Sequence, residues 1–237
     1  MNTDLIKVKQ LSMEFFDLIS IEDACNAVNE EFRGLFISHT YANSAIVCLS
    51  KNGNMAMGNI VENEEDYKEY RKQMFNHIDS ANNCRQILML INTPYKLLWF
   101  KYVRHYLSDR DYGELLKDIW QGSENPNQDV NVSLDEVIVW FKSAKKHFLM
   151  DKEELEYFKN LPSELTVYRG VSRGRNPKGL SYTVDKKQAI WFQNRFSTED
   201  EPGFLIEKKI KKEDVLAYFT YENEIVLNIN QEGDRYE

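Results

Sequence analysis

The stretch LTVYRGVSRGRNPKGLSYTVD, residues 165–185, decides the fold class of this chain. Apolar and polar side chains alternate up to Arg169, which is typical of a strand, and glycines and a proline then mark a loop. A second short strand is predicted at 180–184, and Asp185 follows it as the expected N-cap of a helix. The stretch therefore predicts a strand-rich region with one embedded helix.

The pattern of elements extends from this stretch in both directions. Further strands are predicted at 203–210, 214–219 and 224–228. On the N-terminal side, the apolar spacing is helical from Glu64 to about Asn160. Before those helices, an Asn52-Gly53 pair between two apolar runs predicts a β-hairpin.

A polar loop at 123–132 is the predicted domain boundary. It divides the chain into residues 1–122, a mixed α/β region that becomes helical, and residues 123–237, which carry the predicted strands. The expected class is α+β, with the helical N-terminal and middle regions packed on a C-terminal sheet.

The charge balance limits the partners that the chain is expected to bind. The 237 residues include 30 Lys and Arg against 38 Asp and Glu, which gives a formal net charge of -8. A negative field repels nucleic acid phosphates and anionic membranes, so neither is an expected partner. No apolar stretch approaches the roughly 20 residues that cross a bilayer, and the first residues do not resemble a signal peptide. The expected location is the cytoplasm.

Common catalytic and metal-binding motifs do not occur in the sequence. The four histidines are scattered, and the three cysteines are far apart and odd in number, so neither a metal site nor a disulfide framework is predicted. The sequence also contains no phosphate-binding loop, dinucleotide fingerprint, nucleophile elbow or zincin motif. The candidate chemistry must come from polar residues on the predicted strands.

Two of those strands carry candidate ligand-binding groups. Arg169 ends an apolar strand beside Gly170, so its planar fork is suited to a phosphate or carboxylate next to backbone that a ligand can approach. Ser181 and Thr183 are two residues apart on a strand, which places two hydroxyls on one side. Each feature also fits an ordinary strand with polar surface residues.

An acidic pair enters the last apolar strand. Glu222 and Glu224 are two residues apart, so both carboxylates are expected to face one site. Neighbouring carboxylates push their pKa values apart, so that one stays ionised while the other handles a proton. The alternative is an edge strand that acidic residues keep soluble.

Three motifs on these strands follow one another in a fixed order. They are Tyr168-Arg169-Gly170, Ser181-Tyr182-Thr183 and Glu222-Asn223-Glu224. Together they resemble the arginine, serine-x-serine and glutamate-x-glutamate motifs of the ADP-ribosyltransferase fold family, in its phage or bacterial type. The resemblance covers residues 165–228. It implies a split β-sheet and an enzyme that uses NAD as a substrate and no metal.

The resemblance implies catalytic roles for three residues. Glu224 would stabilise an oxocarbenium-like transition state, and Ser181 would orient its carboxylate. Glu222 would accept the proton of the attacking nucleophile. In the family, Glu at that position goes with arginine acceptors, so the expected activity is mono-ADP-ribosylation of a protein, on arginine.

The resemblance also implies a set of NAD-binding residues. They are Arg169, which would hold the NAD phosphate, Gly170, Ser181, Tyr182, Thr183 and, as a second phosphate contact, Arg195. Many family members insert a helix between the arginine and the serine, and that helix forms a wall of the nicotinamide pocket. Here the step from Arg169 to Ser181 is only 12 residues, so the helices between residues 64 and 160 are expected to supply that wall. Two alternatives stay open: an NAD glycohydrolase with water as acceptor, and a catalytically inactive binding or inhibitor protein on the same fold.

Overall fold

The computed structural model of the chain describes residues 2–32, 34–51 and 53–229. The chain divides there into two compact units, Met1–Asp111 and Tyr112–Glu237. The polar loop at 123–132 lies within the second unit. The domain boundary between residues 122 and 123 stays a prediction.

The first unit combines helices with one β-hairpin. Its helices are α1 (Leu5–Phe16), α2 (Ile21–Asn26), α3 (Glu64–Ser80), α4 (Cys84–Leu88) and α5 (Lys96–Val103). Strands β1 (Ile46–Lys51) and β2 (Asn54–Asn59) pair antiparallel, which confirms the predicted hairpin. Of its two predicted turn residues, Asn52 lies outside the described residues, and Gly53 has a φ of +79°. That backbone conformation favours glycine.

Helix α1 packs against α3, α4 and α5, and the core of the first unit forms along it. Ser12 on α1 accepts a hydrogen bond from Trp99 Nε1 at 2.9 Å, and its carbonyl accepts one from the Tyr41 hydroxyl at 2.7 Å. His39 is fully buried in the same unit, and its Nδ1 accepts from the backbone N–H of Tyr41 at 3.2 Å. Burial lowers the pKa of His39 to about 4.

The second unit combines helices with an antiparallel sheet. Its helices are α6 (Asp109–Gly122, which begins just before the unit boundary), α7 (Leu134–Ser143), α8 (Lys146–Leu149), α9 (Lys152–Asn160) and α10 (Lys186–Asn194). Its strands are β3 (Glu164–Val171), β4 (Ser181–Thr183), β5 (Phe204–Lys211), β6 (Val215–Phe219) and β7 (Glu224–Leu227). Within the described residues the strand order is β5-β3-β4-β7-β6, and all neighbours are antiparallel. The predicted α+β class is confirmed, and the ADP-ribosyltransferase type of sheet stays a prediction.

The backbone pairing between neighbouring strands of this sheet is shortest in the middle. Strand β3 pairs with β5 along its whole length, from Glu164 to Val171, and β4 pairs with β7 at each of its residues. In the part of the chain that the structure describes, β3 and β4 share one residue pair, Tyr168 opposite Thr183. The backbone ladder between the two halves of the sheet is therefore short.

Helices flank the two halves of this sheet. Helices α7 and α9 pack against β6, and α10 packs against β3, β4 and β5. A methyl group added at Gly170 on β3 would collide with the carbonyl oxygen of Ala189 in α10. Glycine therefore lets the helix lie close to the strand. No helix in residues 2–32, 34–51 or 53–229 is both long and apolar enough to cross a membrane.

Candidate active site

A cavity of about 350 Å³ lies in the second unit, beside the junction of β3 and β4. Its lining includes all the site residues that the sequence predicted: Arg169, Gly170, Ser181, Tyr182, Thr183, Arg195, Glu222 and Glu224. The structure thus brings residues from three motifs and one helix end around a single space. Their chemical roles stay predictions.

Glu224 begins β7 and carries the best-supported carboxylate of the cavity. Trp120 Nε1 on α6 donates to Glu224 Oε1 at 2.9 Å, and the Ser181 hydroxyl forms a second hydrogen bond to the same carboxylate. The residue keeps some exposed surface, but the carboxylate is enclosed, and burial raises its pKa. The hydrogen bonds from Ser181 and Trp120 oppose that rise because they stabilise the ionised form.

Asn127 orients the serine that contacts Glu224. Asn127 Nδ2 donates to Ser181 Oγ at 3.1 Å, and Asn127 Oδ1 accepts from the backbone N–H of Leu180 at 2.6 Å. Because Ser181 Oγ accepts from the amide, its own proton is available for the carboxylate of Glu224. The polar loop at 123–132 therefore supplies part of the cavity wall.

Sequence reasoning missed both Trp120 and Asn127. Trp120 is 1% exposed and lies on the buried face of α6, where its sequence position resembles that of any core aromatic. Asn127 follows Pro126 in a loop rich in turn-forming residues. The one available signal was the expectation that a helix between residues 64 and 160 would form a wall of the site.

Both terminal nitrogens of Arg169 contact the protein backbone. Its Nη1 donates to the carbonyl oxygen of Ser181 at 2.7 Å, and its Nη2 donates to that of Asn176 at 2.7 Å. The residue is 9% exposed, and its Nε has no hydrogen-bond partner among the described residues. In this arrangement the guanidinium joins β3 to β4, where the strand ladder is one pair long. The predicted contact of Arg169 with a phosphate stays a prediction.

Glycine at two positions has a packing role here. A methyl group at Gly179 would collide with the guanidinium of Arg169, so this glycine makes room for it. Gly170 was expected to let a ligand approach the backbone, but the close neighbour on the side of its missing side chain is α10. Gly170 also lines the cavity, and its contact with a ligand stays a prediction.

Tyr182 and Thr183 are largely buried in β4. The Thr183 hydroxyl oxygen accepts from the backbone N–H of Asp185 at 3.1 Å, and Asp185 is the N-cap of α10. Thr183 thus fixes the start of the helix whose far end carries Arg195.

Glu222 does not lie on the strand. It lies in the 3-10 turn Tyr221–Asn223 just before β7, with a φ of +66°, and Asn223 has a φ of +46°. The predicted alternation of two carboxylates on one strand is therefore wrong. Both still line the cavity, and the charge of Glu222 contributes to the raised pKa of Glu224. Partial burial raises the pKa of Glu222 too, and Arg195 opposes that rise.

A buried carboxylate holds this left-handed turn in place. Glu154 on α9 is 1% exposed, and its Oε1 accepts from both the backbone N–H and the hydroxyl of Thr220, at 3.1 and 3.3 Å. Its Oε2 pairs with Lys117 of α6 at 2.5 Å. The Tyr218 hydroxyl donates to Asn223 Oδ1 at 3.1 Å. Such contacts are needed because left-handed backbone is unfavourable for residues other than glycine.

Two further cations line the cavity around an aromatic ring. The guanidinium carbons of Arg175 and Arg195 each lie 4.9 Å from the centre of the Phe196 ring. Phe196 follows α10 and is 41% exposed. Arg175 Nη2 lies 3.5 Å from the carboxylate of Glu124. The cavity thus combines acidic and basic groups.

Comparisons of the chain with protein-family models, with curated proteins and with solved structures found no match.

Proposed function

We propose that this cavity binds NAD and that the protein transfers ADP-ribose from NAD to a protein side chain, with arginine as the acceptor. The observation that carries the proposal is the enclosed carboxylate of Glu224, which an indole N–H and a serine hydroxyl hold at the cavity. A carboxylate fixed in poorly solvated surroundings stabilises a nearby positive charge more strongly than one in water. The reaction proposed here develops such a charge on the ribose.

The mixed charge of the cavity supports a ligand with two oppositely charged ends. Glu222 and Glu224 line it together with Arg175 and Arg195. NAD has a cationic nicotinamide ring at one end of a ribose and an anionic pyrophosphate at the other. A ligand of that kind can satisfy both sets of side chains.

The proposed step breaks the bond between ribose C1′ and the nicotinamide nitrogen. The electron pair of that bond leaves with nicotinamide, which becomes neutral, and positive charge develops on C1′ and the ring oxygen. Glu224 would stabilise this charge. A guanidine nitrogen of the acceptor then bonds to C1′, and its proton passes to Glu222. The raised pKa of Glu222 makes it a stronger base than an ordinary surface glutamate.

The experiment that tests the proposal measures two products from labelled NAD in a cell lysate that supplies acceptor proteins. Free nicotinamide reports cleavage, and labelled protein reports transfer. We expect Glu224→Gln to lower both by about 100- to 1000-fold, because it removes one electrostatic contact to the transition state. Glu222→Ala should lower protein labelling more than nicotinamide release. Glu156→Gln, at an exposed residue outside the cavity lining, is the matched control.

Each result points to one function. Nicotinamide release that depends on Glu224 without any labelled protein would replace the transferase by an NAD glycohydrolase. Equal loss of both products in Glu222→Ala would remove the proposed role of Glu222. If the wild-type protein consumes no NAD, the enzymatic proposal is wrong, and a binding protein on the same scaffold takes its place.

A further inference from the structure

Arg169, the arginine of the first motif, forms its hydrogen bonds within the protein. Both terminal nitrogens of Arg169 donate to backbone carbonyl oxygens, at 2.7 Å each, and the residue is buried. A ligand phosphate would have to compete with two contacts, one that joins β3 to β4 and one that joins β3 to the loop between them. The anionic part of a ligand therefore needs other cations.

Arg175 and Arg195 are the other arginines that line the cavity among the described residues. Arg175 lies on the loop between β3 and β4, and its backbone N–H donates to the Ser172 carbonyl oxygen at 3.1 Å, which closes a turn. Arg195 is the C-cap of α10. Two different segments thus bring one guanidinium each to the same ring of Phe196.

The aromatic ring makes these two side chains a preorganised pair. A guanidinium that packs on an aromatic ring still has its N–H groups available at its edge. A second ring, that of Trp191, lies 5.4 Å from the guanidinium carbon of Arg195. Planar guanidinium groups recognise phosphate oxygens by paired hydrogen bonds. Because contact with the rings already restricts the two side chains, they lose less conformational entropy when a ligand binds.

The present partner of Arg175 is easily displaced. The side chain of Glu124 is 72% exposed, and its closest approach to Arg175 is 3.5 Å. Exposed ion pairs of this kind contribute little to stability. A phosphate group carries more negative charge than the carboxylate of Glu124 and would replace it at Arg175.

We propose that Arg175 and Arg195, held by Phe196, form the anion-binding site of this cavity and grip the pyrophosphate of its ligand, while Arg169 is a structural residue. The identity of the whole ligand as NAD rests on the proposed function. The anion site itself requires only a diphosphate.

The test uses inorganic pyrophosphate, and ADP against adenosine, as probes for the full-length protein. Binding is measured by calorimetry and by tryptophan fluorescence, to which the largely exposed Trp191 beside Arg195 contributes. We expect pyrophosphate and ADP to bind and adenosine to bind much more weakly. Affinity should fall with rising salt, because phosphate contacts are screened. Arg175→Gln and Arg195→Gln should each weaken pyrophosphate binding by about 10- to 100-fold.

Arg173→Gln is the matched control. Arg173 lies two residues from Arg175, is exposed, pairs with Glu201 and does not line the cavity. It should bind pyrophosphate like the wild type. Absence of pyrophosphate binding, or equal binding by all three variants and the wild type, would overturn the anion site.

The outcome separates this inference from the proposed reaction. Pyrophosphate binding that depends on Arg175 and Arg195, in a protein that consumes no NAD, would keep the anion site and reject the reaction. Where NAD is consumed, both variants should raise KM for NAD more than they lower kcat. NAD consumption with unchanged KM in both variants would keep the reaction and reject the anion site.

Discussion

The hydrogen bond from Trp120 to Glu224 gives the sharpest test of how the site is held. Trp120→Phe keeps a buried aromatic ring at the position but removes the N–H that lies 2.9 Å from Glu224 Oε1. The remaining hydrogen bond comes from Ser181. Because each of these bonds stabilises the ionised carboxylate, the loss of one should raise the pKa of Glu224 further.

The size of the effect follows from the charge on the acceptor. A hydrogen bond to a charged group contributes about 1.5–3 kcal/mol. If Glu224 acts as an ionised group in the transition state, NAD cleavage near neutral pH should slow by about 10- to 150-fold. The acidic limb of the rate profile should move to higher pH, since more alkaline conditions are needed to ionise Glu224. Part of the lost rate should therefore return as the pH rises.

The assay is nicotinamide release measured across the pH range, together with a carboxyl NMR titration that follows Glu224 without substrate. Trp140→Phe is the control, because Trp140 is about as buried as Trp120 but does not line the cavity. It should leave both the pH profile and the titration of Glu224 unchanged. If Trp120→Phe lowers the rate by one factor at every pH, or if Glu224 titrates as in the wild type, the positioning role is refuted.

Three other perturbations test the scaffold. Gly170→Ala should lower the free energy of unfolding in urea by about 1–3 kcal/mol, because its methyl would meet the backbone of α10. Gly122→Ala should not lower it, because its methyl would meet nothing within 4 Å outside the neighbouring backbone of its own helix. Glu154→Gln should lower protein labelling relative to nicotinamide release, because Glu154 anchors the turn that carries Glu222; an unchanged ratio would contradict this role. Burial lowers the pKa of His39 from 6.5 to about 4. As the pH falls, the unfolded state therefore takes up a proton before the folded state does, and up to about 3 kcal/mol of the free energy of unfolding is lost between the two pKa values. His39→Asn should remove that part of the pH dependence, and an identical urea-midpoint profile from pH 7 to 5 in both proteins would disprove it.

The strands and their order along the chain could be predicted from local pattern alone. The alternation of apolar and polar side chains predicted β3, and glycines and a proline predicted the loop that follows it. Asp185 was correctly predicted to cap α10. The start of the chain was harder, because Leu5–Lys9 is too short to distinguish a strand from a helix. It forms the first turns of α1, where Asp4 caps the helix and the buried face extends to Phe16.

The geometry of Glu222 could not be predicted, since it depends on contacts distant in the sequence. Two acidic residues before an apolar run fit an alternating strand as well as they fit a turn followed by a strand. The strand begins at Glu224, and the left-handed conformation of Glu222 is held by Glu154, which is far away along the chain. A conformation that residues other than glycine adopt at a cost leaves no local signal in the sequence.

The short connection between β3 and β4 explains how Arg169 comes to contact the protein backbone. Ser181 comes only 12 positions after Arg169, and this loop brings the Asn176 carbonyl within hydrogen-bond distance of the Arg169 guanidinium. The same loop places Arg175, one residue earlier, at the cavity. In the proposed anion site, the loop that satisfies Arg169 is thus also the one that presents Arg175, which matching Arg169 to a motif cannot reveal.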